Sequence, residues 1–511
     1  MATAAEQDLR LKLLNTLLTT PHHRLDEVWV VHDDLARQDP RFYTRLAAWY
    51  NDKGDVRDHK EMFVVNLVLS DAAEDRGVGL ALLRALPPYQ VGRVVDFIGG
   101  RKLVRKAAAP KKQPGAAPKP AEAREAVVED VGLFRSLPRS LRTEVTRYLR
   151  EREADADWFD GSVLVARKAL KRLYALLHVK PGERAQKVLF EDQPPPDSRL
   201  FALRELTRSA SPKEQAQVIR AQRIPYRVAA TVVQRMTPEV VAALVESMSP
   251  QEVINNLGSL KRRGALDNPQ TKALVERKLG EARGNDRVSA FKAEEAARAV
   301  PGLGESVTRK LEEAADARVK ARGRISRPTA LLIDKSGSMS QAIELGKRIG
   351  AMLSAVCDGE LHVYAFDSAA YPVQAGGTDL ASWERALAGI KAGGQTSVGA
   401  PVEALRIKKR YVEQLIVVSD QEENAAPFFL DSLTKYREAM KADPAVCFVR
   451  TPGARTYLED KCRQAGLAAE GFEFKGDYYA LPNLVPLLTQ PSRLELLLEI
   501  LEYPLPTRRP A

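Results

Sequence analysis

Up to about Ala321, apolar residues recur three and four positions apart, the spacing that gathers them on one face of a helix. The pattern predicts amphipathic helices over Asp8–Leu18, around Phe42–Tyr50, and over Glu61–Leu69 and Gly77–Leu86. It resumes over Ser140–Arg150, Ser162–His178, Lys213–Ala221, Val228–Gln234, Pro238–Glu246, Pro250–Leu257 and Asn268–Leu279. Several starts pair a hydroxyl residue with proline, as in Thr237-Pro238-Glu239 and Ser249-Pro250-Gln251. There the hydroxyl can cap the helix and the proline suits its first turn. Short helices in succession, with almost no alternating strand patterns between them, predict an α-solenoid of the HEAT kind, although no strict repeat period marks it.

Two stretches depart from this texture. Residues 104–126, rich in Ala, Pro and Lys, hold too little apolar surface to order themselves and predict a flexible basic linker or surface insert. From about Pro328, short buried-type strands at Thr329–Ile333, Leu361–Phe366, Leu415–Val418 and Val446–Val449 alternate with helical patterns at Ala342–Val356, Ser382–Ile390, Val402–Lys408 and Ala426–Met440. Such alternation builds a mostly parallel, doubly wound α/β sheet. Leu484–Leu488 and Arg493–Leu501 form a closing helical segment. The expected organisation is a helical-repeat domain over residues 1–325 and an α/β domain over residues 326–511.

Charge sharpens this division. The net charge is +11, yet residues 326–511 carry about 21 Lys and Arg against about 23 Asp and Glu, which leaves about +13 on residues 1–325. A polyanion is a natural partner for the helical part, and nucleic acid is the commonest one in the cytosol. The competing reading is a charged, solvated surface kept for solubility. The three cysteines, Cys357, Cys447 and Cys462, follow no paired spacing, which suits a reducing compartment. The first residues lack a signal-peptide pattern and no apolar run is long enough to span a bilayer, so a cytoplasmic location is expected.

The candidate chemistry sits where the first α/β strand ends. TALLID runs into the loop Asp334-Lys335-Ser336-Gly337-Ser338-Met339, and doubly wound sheets bind ligands at the carboxyl ends of their strands. Two later loops, Gly393-Gly394-Gln395-Thr396 and Ser419-Asp420, fall where the fold brings them to the same edge. Together they offer carboxylates and hydroxyls with no His or Cys, a set of hard oxygen donors suited to Mg²⁺, with Mn²⁺ or Ca²⁺ as alternatives, rather than zinc. The competing reading is a turn whose Asp334 caps the next helix and binds no metal. No nucleophile with its base is visible, so binding is expected and catalysis is not.

These residues resemble the metal-ion-dependent adhesion site of von Willebrand factor A domains: D-x-S-x-S after the first strand, a Thr in a second loop, an Asp after a later strand. All five positions are filled, by Asp334, Ser336, Ser338, Thr396 and Asp420. The resemblance implies that Ser336, Ser338 and Thr396 ligate directly, and that Asp334 and Asp420 act mostly through waters or hydrogen bonds. It also implies an open coordination position for a partner carboxylate, a phosphate or water.

A basic helical solenoid followed by such a domain is similar to the TROVE family of telomerase, Ro and vault proteins, and most to the Ro 60-kDa ribonucleoprotein type with its bacterial relatives. The carrying segments are Val56–Leu69, Arg167–Phe190 and Glu246–Leu266 in the helical part, and Ala365–Ser368, Gly393–Leu405 and Ser419–Asn424 in the α/β part. Residues 104–126 lie outside that pattern. The resemblance implies a monomeric ring of helical repeats clasped by the A domain. It implies Y-RNA-like small structured RNAs on the outer surface, passage of single-stranded 3′ ends of misfolded RNA through the hole, a role in RNA quality control, and an exoribonuclease partner.

The residues permit this reading. Over Val165–His178, Ala166, Leu170, Leu173 and Leu177 form the apolar stripe, with Lys168, Lys171 and Arg172 on the other side and Arg167 flanking. With Tyr174 and His178 beside them, these cations could hold phosphates and stack a base. The resemblance places an RNA-contacting His at His178, ahead of Lys180-Pro181; otherwise His178 would serve the last carbonyls of its helix. Lys261, Arg262 and Arg263 form a second candidate patch, and Arg57 with Lys60 a third. The alternative function is a protein–protein adaptor whose A domain grips an acidic partner residue through its metal while the solenoid binds peptide.

Overall fold

The computed structural model describes residues 25–54, 57–106, 126–285, 287–321, 324–337, 340–377, 380–451, 453–467, 469–473 and 493–508. The expected helices at Asp8–Leu18 and Leu484–Leu488 lie outside the described residues. So does Ser338.

The helical region opens with α1 (Leu25–Gln38), α2 (Pro40–Lys53), α3 (Arg57–Leu69), α4 (Ala73–Ala85) and α5 (Pro88–Gly99). After a β-hairpin come α6 (Arg139–Ala154) and α7 (Ala156–Leu176), then α8 (Arg199–Arg208), α9 (Pro212–Gln222), α10 (Tyr226–Val232), α11 (Pro238–Ser247), α12 (Pro250–Arg262), α13 (Pro269–Ala282), α14 (Ala290–Ala299) and α15 (Glu305–Lys320). Helices pack on the next but one: α1, α3, α5 and α7 in one row, and α2, α4 and α6 in the other. Beyond α7 the rows continue as α9–α11–α13–α15 and as α8–α10 and α12–α14, with α10 joined to α12 by the Tyr226 and Ser259 hydroxyls at 2.7 Å. This is the two-layer stacking of a solenoid. The expected caps form. The Thr237 hydroxyl accepts from the Val240 amide, and Ser249 with Glu252 makes a full capping box.

Residues 104–126 are not a plain linker. Their flanks pair as an antiparallel hairpin, β1 (Arg101–Lys106) with β2 (Ala126–Val131), from Arg101↔Val131 to Lys106↔Ala126. Residues 107–125 lie outside the described residues. The insert therefore springs from between α5 and α6, within the first half of the solenoid, and does not separate domains.

The α/β domain has β3 (Thr329–Asp334), α16 (Ser340–Val356), β4 (Leu361–Phe366), β5 (Ala370–Val373), α17 (Leu380–Leu387), α18 (Gly399–Ile407), β6 (Gln414–Ser419), α19 (Phe429–Met440), β7 (Ala445–Arg450), α20 (Tyr457–Gln464) and β8 (Ala469–Glu473). The sheet order is β5-β4-β3-β6-β7-β8, parallel except for the β4–β5 pair. From β3 the chain builds outward to β4 on one side and to β6 on the other, so the switch point lies at the ends of β3 and β6. The helix expected from Ala426 starts at Phe429, because Pro427 and the extended Phe428 hold the preceding chain out of helical geometry.

Among the described residues, three apolar clusters hold the molecule. One fills the second half of the solenoid, from Leu206 to Ala314. A second covers one face of the sheet, with Leu332, Phe366, Val417 and Phe448. The third is continuous from the first helices (Phe42, Leu67, Val94) through the other sheet face (Leu331, Ile333, Ile349) to Ile500 of the final helix, α21 (Arg493–Glu502). Since α15 also packs on α16 and the first helices share the third cluster with the sheet, both ends of the helical run meet the α/β domain, and the chain closes into a ring. The final segment clasps α2: the Trp49 indole donates to Glu499 at 2.9 Å and the Tyr503 hydroxyl to Asp52 at 2.8 Å. Arg508 reaches Glu144 of α6 at 2.6 Å.

Candidate functional site

Strand β3 is buried throughout and delivers Asp334 to the switch point. Its carboxylate is fully buried: Oδ1 accepts the Ser336 amide at 2.8 Å and Oδ2 accepts the Ser419 hydroxyl at 2.6 Å. Burial pushes this carboxyl up to about 6, against the pull of the Ser419 and Ser336 hydrogen bonds, and the like charge of Asp420 adds to the rise.

Hydrogen bonds lace the three loops together. The Gly393 amide donates to the Lys335 carbonyl at 2.8 Å. The Thr396 amide donates to the Asn424 side chain at 2.8 Å, while the Thr396 carbonyl accepts the amides of Asn424 and Ala425. Gly394, at φ 91°, passes so close to Asp367 that a Cβ there would lie 3.1 Å from the Asp367 Cβ. Asp367 in turn pairs with Lys335 and accepts the Ala369 amide at 2.9 Å, which turns the Lys335 ammonium to Asp367 beside the Tyr371 ring. The third loop is held by Gln421, fully buried at φ 67°. Its side chain accepts the amides of Leu458 and Glu459 at 3.1 Å each and donates to the Glu459 carboxylate, which Arg450 also meets at 2.8 Å. Ser419, Lys335, Asp367, Gln421 and Asn424 therefore position the site. Sequence reasoning assigned none of them a role, because their partners lie in other loops.

The donor set tests a cation. Asp334, Ser336 and Thr396 are buried, Asp420 is half-buried, and all four stand on loops tied to one another. The groups acting on the Asp334 carboxylate are hydroxyls, an amide and another carboxylate, so a bound cation would supply the missing opposite charge. Among the described residues no cluster of three or more His, Cys, Asp and Glu could hold a metal, so any ion here depends on hydroxyl oxygens, as hard divalent ions accept.

The cationic face of α7 is divided by its partners. Lys168, Lys171, His178 and Lys180 are exposed, with the Lys171 ammonium 5.4 Å from the Phe190 ring centroid. His178 stands just past the helix in left-handed geometry (φ 53°), its amide donating to the Ala175 carbonyl. Arg172 projects from the same side but bonds Asp96 at 2.6 Å, and Arg167 is held by the Val188 carbonyl and Asp192, both at 3.1 Å. Tyr174 is a correction. It is 1% exposed, donates to Glu153 at 2.8 Å and packs edge-on to Phe190, so it belongs to the core and cannot stack a base. The apolar stripe is as expected, with Ala166, Leu170, Leu173 and Leu177 buried.

In the second patch, Lys261 donates to the carbonyls of Pro301 and Gly302, and Arg263 lies 5.9 Å from the Tyr226 ring centroid. Arg262 instead faces a groove of about 1080 Å³ between α7 and the α10–α12–α14 row. Val165, Arg227, Asn255, Asn256 and Lys292 line it too. Arg227 and Lys292 escaped the sequence reading, since only the solenoid brings these distant positions together. In the third patch, Lys60 donates to the Asn51 carbonyl at 2.8 Å, and Arg57 lies 3.8 Å from both Asp58 and Glu61.

No family model matches the chain, and no characterised protein matches it by sequence. Among solved structures it is similar to the Ro (RSR) protein of Deinococcus radiodurans, with a TM-score of 0.58 at 16% identity over 89% of this chain and 92% of that one. The likeness spans both parts and establishes the shared fold: a helical-repeat region with an α/β domain. No helix among the described residues is long and apolar enough to cross a membrane.

Proposed function

We propose that the chain is a bacterial Ro homologue of the TROVE family, an RNA-binding ring protein that acts in RNA quality control or repair. The observation that carries this reading is the closure of a strongly basic helical solenoid on an A-type domain, in the architecture of the Deinococcus radiodurans Ro (RSR) protein. Small structured noncoding RNAs of the Y-RNA kind bind the exposed face of α7. Lys168, Lys171 and Lys180 meet phosphates there, and the exposed side chain of His178, just past the helix end, reaches a base or sugar. Arg167 and Arg172 keep their protein partners and shape the edge of that face. Single-stranded 3′ ends of misfolded RNA lie along the groove of Arg227, Arg262 and Lys292, where Asn255 and Asn256 offer amides to phosphate or base. An exoribonuclease would act on such an end from outside the ring.

The A domain holds a Mg²⁺-class ion through Ser336, Ser338 and Thr396, with Asp334 and Asp420 acting through water or hydrogen bonds. The ion leaves room for one acidic ligand. The role of this chain's residues is to bind and position.

Sequencing the RNA that co-purifies with the full chain tests the function. Recovery of one or a few small structured RNAs is expected. A protein free of RNA that also ignores structured transcripts in dilute buffer contradicts the reading.

A further inference from the structure

At the foot of the β1–β2 hairpin, the backbone holds an aromatic ring outside the fold. Phe134 adopts φ 51°, a left-handed geometry that a bulky side chain rarely takes unless its surroundings force it. They do so here. The Leu133 amide donates to the Phe97 carbonyl at 2.7 Å and the Arg135 amide to the Ile98 carbonyl at 2.9 Å, fastening both neighbours of Phe134 to the last turn of α5. The ring rests on Gly100, where a Cβ would come within 2.6 Å of it. A hydrophobic contact that merely closed the helix end would bury the ring. Phe134 remains 53% exposed.

Its setting has a cationic excess, with Asp130 the exposed acid opposite Lys102 in the hairpin. Arg101, Lys102, Arg135 and Arg139 are all exposed. Arg101 approaches Asp96 at 3.7 Å, and the same Asp96 binds Arg172 of α7, so the platform adjoins the α7 face. An aromatic ring with a free face, set among phosphate-binding cations, is the arrangement that takes an unpaired base of single-stranded nucleic acid, since every base has a face to stack.

We infer that Phe134 is a base-stacking platform for a single-stranded segment of the bound RNA, with Arg101, Lys102 and Arg135 holding the adjoining phosphates. The inference rests on the RNA-binding reading and adds a contact point outside both the α7 face and the groove.

The test is fluorescence anisotropy on the full chain, with a labelled oligouridine of about 12 nucleotides and, separately, a stable RNA hairpin. Phe134→Ala and Phe134→Gly should each weaken oligouridine binding by roughly 5- to 100-fold, the loss of one stacked base. Phe134→Trp should retain it. Glycine takes the left-handed backbone without strain, so a loss in a Phe134→Gly variant whose melting curve is unchanged is a loss of the ring itself. Wild-type affinity in Phe134→Gly overturns the inference, as does a Trp variant as weak as the Gly one. If wild type binds the hairpin but ignores oligouridine, this inference alone falls. If it binds neither, the proposed function falls with it.

Discussion

Glu61 shows how one buried group sets a pH dependence. It lies in α3 fully out of solvent, where burial pushes its carboxyl up to about 8 despite the Arg93 guanidinium 3.1 Å away, and the like charge of Asp58 adds to the rise. The unfolded chain releases this proton near 4.5, whereas the folded chain keeps it until about 8. Stability from this group is therefore full below about 4.5 and falls as pH rises to about 8, by a few kcal/mol at most. Glu61→Gln should flatten the fall, which melting curves at pH 5.5 and 8 will show; parallel losses in variant and wild type contradict the account. At the candidate metal site, Mg²⁺ at about a hundred times its Kd should raise the melting temperature by roughly 2–3 °C. Asp334→Ala with Ser336→Ala should abolish that rise, and a wild-type protein indifferent to Mg²⁺ removes the ion from the site.

At the scale of elements, α7 is the clearest case of what the sequence disclosed. Its apolar stripe named the buried side, and the side left over is where Lys168 and Lys171 stand exposed. Glutamates at both positions should weaken structured RNA at least about tenfold, without regard to sequence, and lower the salt slope by about two. Undiminished binding moves the interface elsewhere. The strands that carry the candidate site were legible because β3, β4, β6 and β7 are short apolar runs buried on both faces, and the D-x-S-x-S loop follows one of them directly. What stayed hidden depends on partners distant in the chain. The hairpin joins RKLVRK to AVVEDV across the Lys/Pro-rich insert, and neither strand alternates cleanly. The edge strand β5 has four residues and contains Pro372. Helical spacing alone puts Tyr174 beside both faces, and its bond to Glu153 joins it to the core.

For the whole molecule, closure depends on a few contacts between the last residues and the first helices. Removing residues 493–511 deletes the bonds of Glu499, Tyr503 and Arg508 and uncovers the apolar seat of Ile500. The truncated chain should melt lower and show a larger radius of gyration by small-angle scattering, as a ring opened at its clasp would; an unchanged radius assigns closure to the solenoid and α/β domain alone.

The central claim is that the basic excess of the helical part binds RNA through its phosphates, and the affinity for a structured RNA across a salt titration tests it most directly. With about six phosphates neutralised, affinity should fall by roughly 10³ between about 50 and 200 mM salt. Weak binding that does not change over that range contradicts the claim and leaves the excess charge as a solvated surface.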